Sequence, residues 1–171
     1  MSHRNSSSNS NSGLCTAARA IGLACRLDDS IEASLAIVEQ LGELLPLAMR
    51  DVKLKSKIDQ MNHILKSTPD ETICNMQENS DKRIASIFVL FAYLAHVTYY
   101  RRPWLVGSLS LRMVDLTMKT GLYPMSPVAF AIFGGVLSSI GYVNEGFRLG
   151  ESFHFGFYSD GHRPWLDLLQ H

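Results

Sequence analysis

The stretch that decides the fold is Phe130-Ala-Ile-Phe-Gly-Gly-Val-Leu-Ser-Ser-Ile-Gly-Tyr-Val-Asn-Glu-Gly-Phe147. We interpret it as two short helices joined by a turn at Gly141, a residue that can take the positive φ of a tight turn. Gly134 on the first helix and Gly146 on the second would let two antiparallel backbones approach closely. The stretch therefore predicts a helical hairpin with three structural residues, Gly134, Gly141 and Gly146.

Further helices are predicted on the N-terminal side of this hairpin. Ile84–Tyr100 is a long apolar stretch, and the amphipathic pattern that follows it ends at Gly121, a usual helix terminator. Helix start signals, in which Ser, Thr or Asp caps the helix or Pro opens its first turn, occur at Asp28-Asp29-Ser30, Thr68-Pro69-Asp70, Ser80-Asp81 and Ser126-Pro127. We find no period-two run bounded by hairpin turns, so the sequence predicts an all-α fold.

The chain divides into a short tail and one helical region. Residues 1–13 are rich in Ser and Asn and have little to bury, so we expect a disordered tail. Residues 14–171 are expected to form a helical-repeat region that is incomplete at its C-terminus. Within it, Ala17–Gly42 is a second, weaker hairpin, with Asp28-Asp29 at its turn. A last helix is predicted to begin at Arg163-Pro164-Trp165.

Composition excludes several classes of protein. Sixteen Lys and Arg balance sixteen Asp and Glu, which argues against nucleic-acid binding through a basic surface and against a polybasic membrane anchor. A hydrophobic content of 46% is too high for a disordered chain. Three scattered cysteines do not form a disulfide framework, so we expect a reducing compartment, the cytoplasm.

The sequence carries no recognisable catalytic, cofactor-binding or metal-binding motif. A phosphate loop of the form GxxxxGK[ST], a CxxC pair and an HExxH pair are all missing. Four acidic residues occur singly on the amphipathic helices and are predicted to lie on solvated faces: Glu39, Glu43, Asp115 and Glu145. No nucleophile and base stand in a pattern that supports catalysis, so we assign no catalytic, cofactor or metal residue.

The stretch around Gly141 resembles a tetratricopeptide hairpin. In that repeat a bulky residue precedes a glycine on the first helix, a turn follows, and a small residue comes early in the second helix. Phe133, Gly134 and Gly146 occupy matching places. The likeness ends at Gly150, where the repeat normally has a bulky aromatic residue. The resemblance implies stacked antiparallel hairpins, an α-solenoid fragment.

A wider resemblance joins two segments to a family of very large signalling ATPases. Residues 29–46 look like that family's "A…iLeqLGe.lP" segment. Arg112–Gly121 and the downstream Glu145-Gly-Phe-Arg-Leu-Gly150 are similar to its "MV.LslkyG … sGyrfG" block. These proteins join a kinase-like domain, an AAA-type ATPase module and a tetratricopeptide-like helical region to a histidine kinase or guanylate cyclase. The link 121–126 is longer than the family pattern has it.

The resemblance implies a non-catalytic scaffold or interaction module, either a fragment of such an ATPase or a free-standing relic of one. Its expected partners are the other domains of a parent ATPase or kinase, or a separate protein, and neither nucleic acid nor a membrane is expected. The alternative hypothesis is a small helical membrane protein with spans near 84–100 and 124–142, although both segments fall short of the ~20 apolar residues that a span requires. An enzyme in its own right is a third hypothesis.

Overall fold

The computed structural model describes residues 26–43, 45 and 52–156. The described residues form α1 Leu27–Gln40, α2 Val52–Ser67, α3 Asp70–Cys74, α4 Lys82–Arg101, α5 Trp104–Thr120, α6 Ser126–Ser139 and α7 Val143–Gly156. No strand occurs in this part of the chain, which confirms the all-α prediction for it. The predicted tail, the helical pattern before residue 26 and the helix expected from Arg163 lie outside the described residues.

The ends of α4 and α5 agree with the sequence signals. Asp81 caps α4, because its Oδ1 accepts hydrogen bonds from the backbone N–H groups of Arg83 (2.8 Å) and Ile84 (3.4 Å). Gly121 follows the last turn of α5 with a φ of 102°. This positive value is unfavourable for any residue that carries a Cβ atom, so glycine suits the position. Local chemistry therefore sets both boundaries.

Three other start signals work differently from the prediction. Thr68 does not cap α3, because its hydroxyl donates to the carbonyl of Ile64 in the preceding turn (2.8 Å). Ser126 is the first residue of α6, and its Oγ accepts from the N–H of Tyr123 (3.0 Å). Asp28 and Asp29 already lie in the first turn of α1, where carboxylates suit the helix dipole. The predicted turn of the weaker hairpin at these two residues is therefore wrong.

Helices α4 to α7 pack in the order in which they follow each other along the chain. The largest contact joins α6 to α7, and α4 also touches α6. Phe88, near the start of α4, stacks on Tyr123 just beyond the end of α5, with ring centroids 5.0 Å apart. Gly107, near the start of α5, lies beside Val136, near the end of α6. Neighbouring helices in this part of the chain are therefore antiparallel.

The two helices that come first pack elsewhere. α1 lies against α4 and runs antiparallel to it: the Arg83 guanidinium at the start of α4 donates to the carbonyl of Leu41 just past α1 (2.6 Å). At the other end, Arg102 donates to Glu32 (2.6 Å). α2 instead lies against α5. α1 and α2 thus pack on different helices of the α4–α7 series, α1 on α4 and α2 on α5.

The core runs through the α4–α7 series and is filled by phenylalanines. Among the residues that the structure describes, the four largest fully buried side chains are Phe88, Phe91, Phe130 and Phe133. Burying each of them contributes about 1.5–3 kcal/mol, so this layer supplies much of the drive for folding.

One helix among the described residues, α4, is long and apolar enough to cross a membrane, and half of its most apolar window is buried inside the helical assembly. The second segment of the membrane hypothesis, 124–142, does not form one span. Its helix α6 ends at Ser139, and the chain turns at Ile140 and Gly141.

Candidate interaction surfaces

Gly134 and Gly146 face each other where α6 crosses α7. A Cβ atom placed on Gly134 would lie 2.7 Å from the carbonyl oxygen of Gly146, well inside van der Waals distance. A Cβ atom on Gly146 would in turn overlap Ser138 and the carbonyl oxygen of Gly134. The two helices therefore touch through their backbones. Gly141 lies in the turn between them with a φ of 103°. A Cβ atom placed there would meet no other atom within 4 Å, so the backbone conformation and not the space favours glycine.

The link between α5 and α6, residues 121–126, is part of the core. The backbone of Leu122 donates to the carbonyl of Gln77 (3.0 Å) and accepts from the N–H of Asn79 (2.8 Å). Tyr123 is buried on Phe88. This link is longer than the signalling-ATPase pattern has it. Its contacts connect the segment between α3 and α4 to the end of α5.

Helix α7 is joined to α2 and α3 by a line of polar contacts, which we call the polar seam. It consists of Asp59, Lys66 and Asp70 on one side and Tyr142, Glu145, Arg148 and Ser152 on the other. The Tyr142 hydroxyl donates to Asp59 Oδ1 (2.9 Å), and Lys66 Nζ pairs with Glu145 and lies over the Tyr142 ring. These contacts place the middle and the end of α2 along the first turn of α7.

Arg148 is the centre of the seam's second half. Its Nη1 donates to Asp70 Oδ1 (2.5 Å) and its Nη2 donates to the carbonyl oxygen of Leu65 (3.0 Å). Ser152, one turn further along α7, donates to the other oxygen of Asp70 (2.7 Å). One guanidinium therefore holds both the end of α2 and the start of α3.

Hydrogen-bond donors lower the pKa values of two carboxyl groups in the seam, Asp59 and Glu145. The Lys55 ammonium and then the Tyr142 hydroxyl, both donating to Asp59, hold the pKa of that carboxyl below its ordinary 3.8. The hydrogen bond from Lys66 lowers the pKa of Glu145 below 4.5. Both groups favour the charged form, so the seam is complete only while they are ionised.

A second charged network corrects the prediction of solvated acids. Glu43 is only 8% exposed, and its carboxylate accepts two hydrogen bonds from Arg112, at 3.0 and 2.6 Å. Asp115 accepts from Arg112 and from Lys119. The prediction of a solvated face is wrong for Glu43, because Arg112 compensates the charge and permits burial. The contact fixes the end of the α1 segment to α5.

The junction of α4 and α5 exposes three large aromatic side chains. Tyr99, Tyr100 and Trp104 are 67%, 69% and 64% exposed. Tyr99 meets Tyr100 edge to face with centroids 5.3 Å apart. With Arg101 these residues form what we call the aromatic surface. Arg101 has no ion pair among the described residues, whereas its neighbour Arg102 is held by Glu32 and Asp28.

The sequence contains a signal for this surface, the run Tyr-Tyr-Arg-Arg-Pro-Trp at 99–104, which begins within the apolar stretch Ile84–Tyr100 and continues past its end. Exposure of that run depends on how α4 and α5 pack, which helical periodicity alone does not specify. A smaller exposed apolar patch lies at the α6–α7 turn, at Ile140, Val143 and Phe147.

Metal-binding and thiol chemistry find little support in the described ranges. No group of three or more His, Cys, Asp or Glu side chains within residues 26–43, 45 and 52–156 could hold a metal ion. Burial, and then the charge of Asp70, raises the pKa of the Cys74 thiol, so this cysteine is disfavoured as a thiolate.

Comparisons with protein-family models, with curated proteins and with solved structures give no match for this chain.

Proposed function

We propose that the chain is a non-catalytic helical-repeat scaffold whose stacked, tetratricopeptide-like hairpins present surfaces to protein partners. The observation that supports this best is the successive antiparallel packing of α4 to α7, with the glycine contact between α6 and α7. Helical hairpins that bury one face against their neighbours leave extended outer faces, and proteins of this architecture work by shape. The described residues also form a single core along this series.

The resemblance to the helical region of large signalling ATPases suggests where such a scaffold acts. Its partners are then the other domains of a parent ATPase or kinase, or a separate protein, in the cytoplasm. The two resembling segments fall on α1 with the residues after it, and on α5 to α7. The glycine contact lies within the second of them.

The aromatic surface is the face that we assign to the partner. Trp, Tyr and Arg are the residue types that most often dominate binding energy at protein interfaces. Here Tyr99, Tyr100 and Trp104 are mostly exposed, although four phenylalanines of the described residues are fully buried in the core. Arg101 adds a cation without an ion-pair partner in the described residues. A suitable partner segment places a carboxylate at Arg101 and an apolar side chain among the rings.

Site-specific photo-crosslinking tests this proposal. A benzophenone amino acid replaces Trp104 in one variant and Phe147, an equally exposed aromatic position, in a matched control. In cells, we expect a discrete protein adduct from position 104 that is lost when Tyr99→Ser and Tyr100→Ser are added. Identical adducts from both positions, or none from position 104, would contradict the proposal.

The membrane hypothesis stays as a second candidate because of one observation. The apolar helix α4 ends in Tyr99, Tyr100 and Arg101, and aromatic residues with a positive flank are typical of a membrane interface. Flotation with lipid vesicles in the absence of detergent separates the two candidates. The scaffold proposal predicts that the chain stays at the bottom of the gradient, and flotation with the vesicles would favour the membrane protein.

A further inference from the structure

Helix α2 is attached to the rest of the molecule as a bound amphipathic helix would be. Its buried apolar side chains are Ile58, Met61 and Leu65, at positions i, i+3 and i+7. The exposed side is mostly polar and includes Lys57 and Gln60, together with Ile64, which is 44% exposed. This spacing is the usual pattern of anchors when a helix lies in a groove of another protein.

Helix α2 rests against α5 at Gly107, beside the end of α6. A Cβ atom on Gly107 would lie 3.5 Å from Leu54 Cδ2, 3.8 Å from Ile58 Cδ1 and 3.9 Å from Val136 Cγ1. These are ordinary van der Waals distances, so alanine would fit here. A residue larger than alanine would press on Leu54 and Ile58.

The polar seam fixes the position of α2 along this groove. Asp59 accepts from Tyr142, Lys66 pairs with Glu145, and the carbonyl of Leu65 accepts from Arg148. On α2 the contacts use the Asp59 and Lys66 side chains and one backbone carbonyl, and their partners are Tyr142, just before α7, and two charged side chains of α7. Any helix that presents an acid at i+1 and a lysine at i+8, relative to its first anchor, meets the same partners.

Two features make α2 replaceable. Its packing contact with α5 is smaller than each contact between successive helices of the α4–α7 series. Its salt bridge to α7 is partly exposed, since Lys66 is 46% and Glu145 22% exposed, and such pairs contribute little to stability. Elements held by few apolar contacts and exposed polar ones open at low free energy.

We propose that the groove where α2 lies, lined by α5, the end of α6 and α7, is a helix-binding site and that α2 is its built-in occupant. The partner is an amphipathic helix with apolar residues at i, i+3 and i+7, an acid at i+1 and a lysine at i+8. It binds by displacing α2, so the free scaffold is autoinhibited. This inference rests on the proposed scaffold function and names a second site for it, separate from the aromatic surface.

The test uses the α2 sequence itself as the probe. Ile58→Asp in the full chain removes an anchor from α2 and leaves every groove residue unchanged. A fluorescein-labelled peptide of residues 52–67 is then titrated, with fluorescence anisotropy as the readout. We expect saturable binding to this variant and at least about tenfold weaker binding to the parent, because a tethered helix competes at an effective concentration on the order of millimolar.

Matched controls separate groove binding from general adhesion. Gln60→Asp adds the same charge on the exposed face of α2, and we expect this variant to reject the peptide as the parent does. A peptide that itself carries Ile58→Asp is expected to bind none of the proteins. Lys66→Glu, at a residue whose side chain is half exposed, is a milder release variant that keeps the test valid if Ile58→Asp unfolds.

Three outcomes would overturn the inference. The first is the absence of peptide binding to every release variant that keeps its helical circular dichroism. The second is equal binding to the parent and the release variants, which would place the peptide elsewhere. The third is a dimer of the parent that exchanges α2, which would make a second copy the occupant. Loss of the position-104 adduct on Tyr99→Ser and Tyr100→Ser changes no residue of the helix-binding site, so that comparison reports separately on the scaffold function.

Discussion

Helix α7 uses two different kinds of contact on two sides. Against α6 it packs backbone to backbone, through Gly134 and Gly146, and forms the largest helix–helix contact of the described residues. Against α2 it is joined by the polar seam, with Arg148 as its centre. The first contact depends on shape and has no room for adjustment. The second depends on ionised side chains near water, and solution conditions can weaken it.

The comparison suggests that one hairpin is permanent and one attachment is adjustable. A scaffold that exchanges an intramolecular helix for a partner's helix requires both properties in the same molecule. In the proposed exchange, the α6–α7 hairpin would keep the groove in place and the seam would let α2 leave it. Each prediction below perturbs one side of this comparison.

The largest effect is expected at the glycine contact. Gly134→Leu and Gly146→Leu should each destabilise the fold by about 1–3 kcal/mol or more, because the side chain must separate two backbones. Gly135→Leu is the matched control on the same helix, since a Cβ atom there meets nothing within 4 Å. It should be neutral, or stabilising by up to ~1 kcal/mol, because leucine favours a helix over glycine.

Thermal or urea unfolding of the three variants beside the parent measures these differences. If Gly134→Leu and Gly146→Leu unfold at or above the parent's midpoint, the backbone contact between α6 and α7 is wrong.

The sequence anticipated the hairpin much better than the seam. Glycines at 134, 141 and 146 are local signals, since two short helices around one turn bring nearby positions together. Asp59 and Tyr142 are 83 residues apart in the chain, and no local sequence pattern around either residue indicates that they are in contact. Glu43 shows the same limit: an acid on an amphipathic pattern is expected at the surface, and only the approach of Arg112 explains its burial.

The link before α6 marks a further limit of sequence reasoning. Residues 121–126 appear in the sequence only as an insertion relative to a resembling family. In the structure they pair with Gln77 and Asn79 and bury Tyr123 on Phe88. These contacts join residues 35 to 45 positions apart in the chain, so local patterns of hydrophobicity cannot predict them.

A smaller effect is expected at the centre of the seam. Arg148→Ala removes hydrogen bonds to Asp70 and to the Leu65 carbonyl and should cost about 1–2 kcal/mol, since charged hydrogen bonds contribute somewhat more than neutral ones. Lys119→Ala is the matched control, because that lysine is 65% exposed and its pair with Asp115 should contribute less than about 0.5 kcal/mol.

Chemical denaturation of both variants supplies the comparison. Equal losses of stability in Arg148→Ala and Lys119→Ala would mean that the seam is no stronger than an ordinary surface ion pair.

The smallest effect is a dependence on pH through two carboxylates of the seam, Glu145 and Asp59, the second of which also pairs with Lys55 on α2. The pKa values of Asp59 and Glu145 are lowered in the folded chain from 3.8 and 4.5, so the folded state binds these protons more weakly than the unfolded state. Their contribution to stability is therefore present above those ordinary values and is lost as the pH falls through the lower folded values.

We expect the midpoint difference between the parent and Asp59→Asn to be constant above about pH 5.5 and to shrink as the pH is lowered below about 4. The midpoint difference between the parent and Gly134→Leu should not shrink as the pH is lowered, because no ionisable group is changed at the glycine contact. A pH-independent difference for Asp59→Asn would contradict the assignment of a charged Asp59 to the seam.

Native-state hydrogen exchange of the parent chain, at low and at high salt, tests the central claim most directly. We predict that amides of α6 and α7 exchange slowest and that their rates do not change with salt. Amides of α2 should exchange faster, and faster still at high salt, because salt weakens the partly exposed ion pairs that hold this helix. Equal protection of α2 and α7 at both salt concentrations would contradict a permanent hairpin with a replaceable helix.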